Sequence, residues 1–194
     1  ATELYGGEVG SREIHPNIGA GRVVKQDSTR VTDDIDAGVF ADNEAIQGAF
    51  EYARENDGRV HFIGLVSDGG VHSYQAHLHA LIELAAEREI DAVTHAFTDG
   101  RDTAPKSGVG FLADLEAVVE TNGTGHVETV CGRYFAMDRD ENWERTKRAY
   151  DAIVDRTAPH EAESAVEALE AAYDRGETDE YVEPTLIETE SDEN

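Results

Sequence analysis

From residue 43 onward, the apolar positions switch repeatedly between helical and strand-like spacing. "NEAIQGAFEYAREND" places Ile46, Phe50 and Ala53 on one helical face, with Asp42 positioned to cap it. "RVHFIGLVS" then reads as a short, largely apolar strand. "SYQAHLHALIELAAERE" returns to helical spacing through Leu78, Leu81, Ile82 and Ala85, with Ser73 as the expected cap. The cycle repeats with "AVTHAFT" as a strand, "SGVGFLADLEAVVETNG" as a helix stopped by Gly123, and "HVETVCGR" as a third strand. Two more helices are predicted around "ENWERTKRAYDAIVD" and "AESAVEALEAAYDRGE", where Trp143 and Tyr150 have the spacing of core residues.

Strands separated by helices at this interval are βαβ units, which pair in parallel through right-handed crossovers and leave helices covering the sheet. The expectation is an α/β fold: a three-layer α/β/α domain with an open, mainly parallel sheet. Residues 1–40 fit the cycle poorly. There "NIGAGRVVKQDSTRV" reads as a Gly-rich loop running into an extended segment, and "GAGR" lacks the GxxxxGK[ST] pattern of a phosphate loop. The expected organisation is an entry segment over 1–40, the main domain over 41–187 and an acidic tail over 188–194.

An open parallel sheet binds its ligands beyond the carboxyl ends of its strands. The first predicted strand runs into Asp68, Gly69, Gly70 and His72. The second runs into Asp99, Gly100, Arg101 and Asp102, and the third into Gly132, Arg133, Asp138 and Arg139. Arginine offers a planar fork that grips carboxylate or phosphate through two parallel hydrogen bonds, so several forks on one rim suit a small polyanion. Asp102 or His72, partly desolvated there, could move a proton to or from a substrate hydroxyl. Asp-Gly and Gly-Gly are also ordinary turn chemistry, and each Arg-Asp neighbour taken singly reads equally well as a surface ion pair. The coincidence at all three strand ends carries the reading.

The remaining histidines say less. His77 and His79 stand two apart on a helix and cannot share a face as metal ligands. His61 and His95 fall within strands, and His15, His126 and His160 in expected loops.

Composition narrows the partners. The 194 residues include 42 acidic and 16 basic ones, for a formal net charge of -26. Such a field argues against nucleic acid and anionic membranes. The carboxylates are spread along the chain and only Lys25, Lys106 and Lys147 are lysines, which reads as adaptation to high salt. A single cysteine, Cys131, excludes an intrachain disulfide and a Cys-based zinc site. With no apolar run long enough for a bilayer and no signal-peptide pattern in "ATELYGGEVG", the expectation is a cytoplasmic protein.

Four runs, "NIGAGRVV", "GLVSDGGVHS", "DGRDTAP" and "GRYFAMDRDENWERTKRAYD", together resemble the cofactor-independent (2,3-bisphosphoglycerate-independent) phosphoglycerate mutases in order and spacing. The resemblance implies an enzyme of two domains, a metal-dependent phosphatase domain similar to alkaline phosphatase and an inserted phosphotransferase domain. It identifies residues 41–187 as the phosphotransferase domain and 1–40 as its entry linker with a remnant of the nucleophile loop. In the family a serine held near two manganese ions (Mn2+) takes the phosphate and returns it to the other hydroxyl of glycerate. The resemblance puts His72, Arg101, Asp102, Arg133 and Arg139 at positions that bind phosphoglycerate, with Asp102 transferring the proton. Ser11 falls at the nucleophile's place by gapless count from Asn17, although "VGSREIHPN" departs from the family's GNSEVGH-type surroundings.

The family's metal-binding Asp and His motifs do not occur in these residues, nor does its later pair of substrate arginines. The expectation is a fragment whose manganese ions belong to the missing phosphatase domain, without mutase turnover by itself. The arginine rim alone also permits a stand-alone binding module for a small anionic metabolite, or a structural domain whose acidity serves salt tolerance.

Salt should therefore stabilise the fold. Screening shortens the reach of carboxylate repulsion from about 10 Å at 0.1 M to about 3 Å at 1 M. The melting temperature is expected to rise across that range of potassium chloride, and a flat or falling series would remove the salt-adapted reading.

Overall fold

A computed structural model describes residues 25–188, in two compact units divided between residues 40 and 41. In the first unit, α1 spans Asp27–Asp36. This corrects the extended segment expected there. Val31 and Ile35 are half-buried one turn apart, Asp27 sits in the first turn where the helix dipole favours an anion, and Lys25 pairs with Asp33.

The second unit contains α2 (Glu44–Glu55), β1 (Val60–Leu65), α3 (Gln75–Glu87), β2 (Ala92–Thr98) and α4 (Gly108–Asn122). It continues through β3 (His126–Gly132), a single turn α5 (Arg133–Ala136), α6 (Trp143–Val154), β4 (His160–Ala162), α7 (Ala165–Asp174) and β5 (Thr185–Ile187). The sheet order is β1-β2-β3-β5-β4. β1, β2 and β3 are parallel, β5 runs antiparallel to β3, and β4 is parallel to β5. The fold is the expected mainly parallel α/β/α arrangement, with two short edge strands added. Each of these has three residues, too few for alternation to declare itself.

All seven residues of β2 are buried, as a central parallel strand covered on both faces requires. On one face Phe62, Ala96 and Val130 pack with Ile82, Leu112, Leu115 and Leu169 of the helices. On the other, Leu65, Phe97 and Cys131, which share a register, pack with Phe135 and Ala149 of α5 and α6.

Local chemistry at the helix ends differs from expectation in two places. Asn43, not Asp42, caps α2, accepting the amides of Ala45 at 3.0 Å and Ile46 at 3.3 Å. Ser73 does not cap α3; its hydroxyl donates to the Leu65 carbonyl at 2.9 Å and ties the loop after β1 back to the strand. Gly123 ends α4 in the left-handed region, as predicted. Trp143 and Tyr150 lie 72% and 56% exposed on the outer face of α6, so they are not core, and the buried face is carried by Ala149 and Ala152. His126 and His160 open β3 and β4 and are not loop residues. Among the described residues no helix is long and apolar enough to cross a membrane.

The end of β3 meets the segment after α7 at very short range. The Gly132 amide donates to the Val182 carbonyl at 2.8 Å. A β-carbon at Gly132 would stand 2.5 Å from the Glu180 carbonyl oxygen and 2.6 Å from the Val182 nitrogen. Both neighbours are backbone, which cannot swing aside. Gly132→Ala is therefore expected to cost about 1–3 kcal/mol by overpacking, measured by chemical denaturation. Unchanged stability would show that this junction yields.

Candidate active site

Each of the three parallel strands delivers its loop to the same end of the sheet. At the end of β1, the buried Ser67 donates its hydroxyl to Asp99 Oδ2 at 2.9 Å. The backbone turns at once: a β-carbon on Gly69 would lie 3.1 Å from Asp99 Oδ2 and 3.3 Å from Asp102 Cβ. The loops after β1 and β2 are thus in contact.

Asp99, one residue past β2 and 3% exposed, is the hub. Its Oδ1 accepts the amides of Asp102 at 3.0 Å and Arg101 at 3.2 Å, closing the Asp-Gly-Arg-Asp stretch into a turn around the carboxylate. The turn needs a left-handed residue, supplied by Gly100 at φ 65°. Oδ1 also accepts Arg133 Nη1 at 2.6 Å, and the same nitrogen donates to Asp102 Oδ2 at 2.7 Å. Burial pushes the Asp99 carboxyl pKa upward. The Asp102 amide, the Arg133 guanidinium, the Ser67 hydroxyl and the Arg101 amide outweigh it and hold Asp99 below the usual carboxylate value.

Arg133 starts α5 directly after β3, and its side chain is only 10% exposed. Arg101 is by contrast 62% exposed, with Glu180 as its ion-pair partner at 3.5 Å. Asp102 lies between these extremes. Its Oδ2 is held by Arg133, while Oδ1 accepts no hydrogen bond from a described residue. One carboxylate is therefore oriented by a guanidinium through one oxygen, with its other oxygen not hydrogen-bonded to a described residue.

Arg139 is exposed in a loop organised by its neighbour Asp138, which accepts from the Asn142 amide at 2.7 Å, the Asn142 side chain at 2.8 Å and Arg145 at 3.3 Å. Arg145 in turn lies 4.0 Å from the Tyr134 ring centre, linking that loop to the residue after Arg133. His72 is exposed in the loop after β1. The structure thus brings Ser67, Asp99, Asp102 and Arg133 into direct contact and Arg101 onto the same turn. His72 and Arg139 form no hydrogen bond or ion pair with that group. Ser11 lies outside the described residues. Sequence reasoning passed over Ser67 and Glu180 as site residues; it placed Asp99 on the rim after the second strand, but nothing local pointed to Glu180.

Two other groups were tested as metal centres. His61 Nδ1 and His95 Nε2 lie 2.9 Å apart, and their ring centres are 5.2 Å apart with planes 7° from parallel. That centre separation equals the N···N distance plus two ring radii, so the rings meet edge to edge in one plane and share a proton along the line. Two lone pairs do not aim at a common ion. Burial, with His61 and Arg156 adding to it, drives the wholly buried His95 down to about 4. Glu128 beside them is engaged by Arg59 at 2.6 Å and Arg156 at 3.6 Å. In the second group Glu183 binds Arg148 at 2.7 Å and His160 at 3.1 Å, while Glu177 pairs with Arg175 at 2.6 Å. Manganese favours oxygen donors, and the donors in both groups are already committed. The described residues do not fit a manganese pair.

Comparison with known proteins matches this chain to a family. Residues 31–194 match the family model described as the BPG-independent PGAM N-terminus. A protein of Natronomonas pharaonis named 2,3-bisphosphoglycerate-independent phosphoglycerate mutase is 78% identical over 185 residues, covering 95% of this chain and 37% of its own length. One of the same name from Halobacterium salinarum is 57% identical over 188 residues, again 95% of this chain and 37% of the relative. The crystal structure of Leishmania mexicana phosphoglycerate mutase at low cobalt concentration superposes with a TM-score of 0.79 at 33% identity, over 89% of this chain and 33% of that one. The chain thus spans a little over a third of the length of these curated relatives. With the family model covering most of its length and the strand-end architecture in agreement, the chain belongs to the BPG-independent phosphoglycerate mutase N-terminus family.

Proposed function

We propose that this chain is the phosphotransferase, substrate-holding part of a cytoplasmic 2,3-bisphosphoglycerate-independent phosphoglycerate mutase, interconverting 3-phosphoglycerate and 2-phosphoglycerate. The observation that carries this reading is Asp102, gripped through one oxygen by Arg133 at 2.7 Å and free at the other, on the same turn as the exposed Arg101. In this role the forks of Arg101 and Arg139 bind the substrate's carboxylate and phosphate, with His72 closing the rim as a further donor. Arg133 is largely consumed in orienting Asp99 and Asp102. When the serine takes the phosphate, the proton its hydroxyl loses goes to the departing glycerate oxygen. When the phosphate is returned, the free oxygen of Asp102 takes the proton from the glycerate hydroxyl that receives it and passes it to the departing serine oxygen.

We assign the phosphate-carrying serine to Ser11. The manganese pair belongs to a phosphatase domain whose ligands are not among these residues, and no step described here passes through it. The relatives' shared name supports a mutase part over a stand-alone binding module. Interconversion on one bound glycerate requires a site that holds two anionic groups while leaving the hydroxyls accessible to one base. Separate guanidiniums flanking a single oriented carboxylate meet that need.

In the full-length enzyme, Asp102→Asn preserves shape but cannot accept the proton, so kcat should fall about 10²- to 10⁴-fold with a small change in KM. Arg101→Ala removes a charged fork from the ground state as well, and should raise KM. Steady-state kinetics with 3-phosphoglycerate separates the two. Near wild-type turnover by Asp102→Asn would move the proton-transfer role elsewhere.

A further inference from the structure

The segment after α7 is tied into the site more tightly than an edge connection requires. Asp179 is 1% exposed, and every polar group it owns is used on the stretch from Thr98 to Gly108 that carries Asp99, Arg101 and Asp102, or on Tyr173 of α7. At the loop's start, Thr98 Oγ1 donates to the Asp179 carbonyl at 2.6 Å. At its end, the Asp179 amide donates to the Pro105 carbonyl at 2.9 Å. Its Oδ2 accepts the amides of Ser107 at 3.0 Å and Gly108 at 2.9 Å, capping α4 from a distant part of the chain. Oδ1 accepts the Tyr173 hydroxyl. A β-carbon on Gly100 would lie 2.7 Å from both Asp179 Cβ and the Glu180 nitrogen, so the turn of the arginine-bearing loop rests directly on this segment.

This anchoring fixes where Glu180 stands. Its side chain is 19% exposed on a backbone pinned on both sides, by Asp179 at the end of β2 and by Val182 at the end of β3. Arg101 is the exposed partner, at 62%. Their separation of 3.5 Å exceeds the distance of roughly 2.7–2.9 Å at which a guanidinium grips a carboxylate strongly. The pair neutralises Arg101 but does not saturate its fork.

We propose that Glu180 is a positioning residue that acts as a resident anion: its carboxylate occupies Arg101 in the free protein and gives the guanidinium up when an anionic group of the substrate arrives. This rests on the phosphoglycerate reading of the site. The exchange has two consequences. It keeps Arg101 swung over the crevice and away from the carboxylates elsewhere on an acidic surface. It also sets an affinity penalty, since each binding event must break the pair before making the better, bidentate contact. A carboxylate whose only role is to hold the loop would reduce substrate binding when removed; a resident anion increases it.

The test is a double-mutant cycle in the full-length enzyme, with KM for 3-phosphoglycerate as readout. Glu180→Gln should lower KM about two- to fivefold, the range expected for relieving a partly exposed ion pair. Glu180→Asp, which keeps the charge, should not share the gain. In an Arg101→Ala background Glu180→Gln should change nothing. An unchanged or raised KM in Glu180→Gln, or the same gain without Arg101, would overturn the inference. Absence of phosphoglycerate turnover in the wild type would instead overturn the functional reading. The exchange would then be read from calorimetric binding of inorganic phosphate by the same variants, where no Arg101-dependent gain in Glu180→Gln would sink it.

Discussion

The site depends on one buried guanidinium shared by two carboxylates. Arg133 leaves β3 and donates to Asp99 at 2.6 Å and Asp102 at 2.7 Å, both from the loop after β2. A charge this enclosed is costly to desolvate, and it is tolerated because hydrogen bonds meet it; removing one partner of such a group typically costs about 3–5 kcal/mol. Asp99 repeats the logic by collecting two backbone amides, a serine hydroxyl and the guanidinium. Three loops from three strands are thereby locked into one arrangement. The orientation of Asp102 follows from the sheet, since β1, β2 and β3 run parallel and end together.

That convergence is supported from below by glycine. At Gly69, Gly100 and Gly132 a β-carbon would press into a neighbouring loop, into Asp179 or into the backbone of residues 180–182. The close approaches bring backbone where a side chain would otherwise keep loops apart, and they let Asp179 and Glu180 reach the site from a segment some 80 residues after β2 in the chain. The antiparallel turn into β5 is what returns this segment to the end of β3. The small edge strands are therefore tied to the geometry of the site.

Much of this was legible in the sequence, for identifiable reasons. β2 is buried on both faces and reads as a short strand, and α3, α4, α6 and α7 repeat apolar residues at helical spacing, so the alternation of elements and the strand-end rule located Asp102, Arg101 and Arg133 together. The errors share a cause. α1, the caps of α2 and α3, and the exposure of Trp143 and Tyr150 were decided by single side chains or by which helix face meets the sheet, and periodicity does not specify either. Asp179 and Glu180 were invisible because their partners lie 71 to 81 positions away, as with Thr98, Ser107 and Gly108. Ser11 falls outside the described residues, and its role rests on resemblance.

The proposed anion site poses a problem of range in a chain of net charge -26. Long-range repulsion from 42 carboxylates would oppose a phosphate at every approach in dilute buffer. In molar salt, where fields decay within about 3 Å, only contact pairs survive. A site for such conditions cannot rely on a diffuse basic patch to attract its ligand. It must present guanidiniums at hydrogen-bond distance, already oriented and shielded from neighbouring carboxylates, so that recognition is decided by fork geometry. Under the proposed function, the Arg133 trio and the loosely paired Arg101 would be two forms of that solution: one charge committed to orienting Asp102, the other available to a ligand.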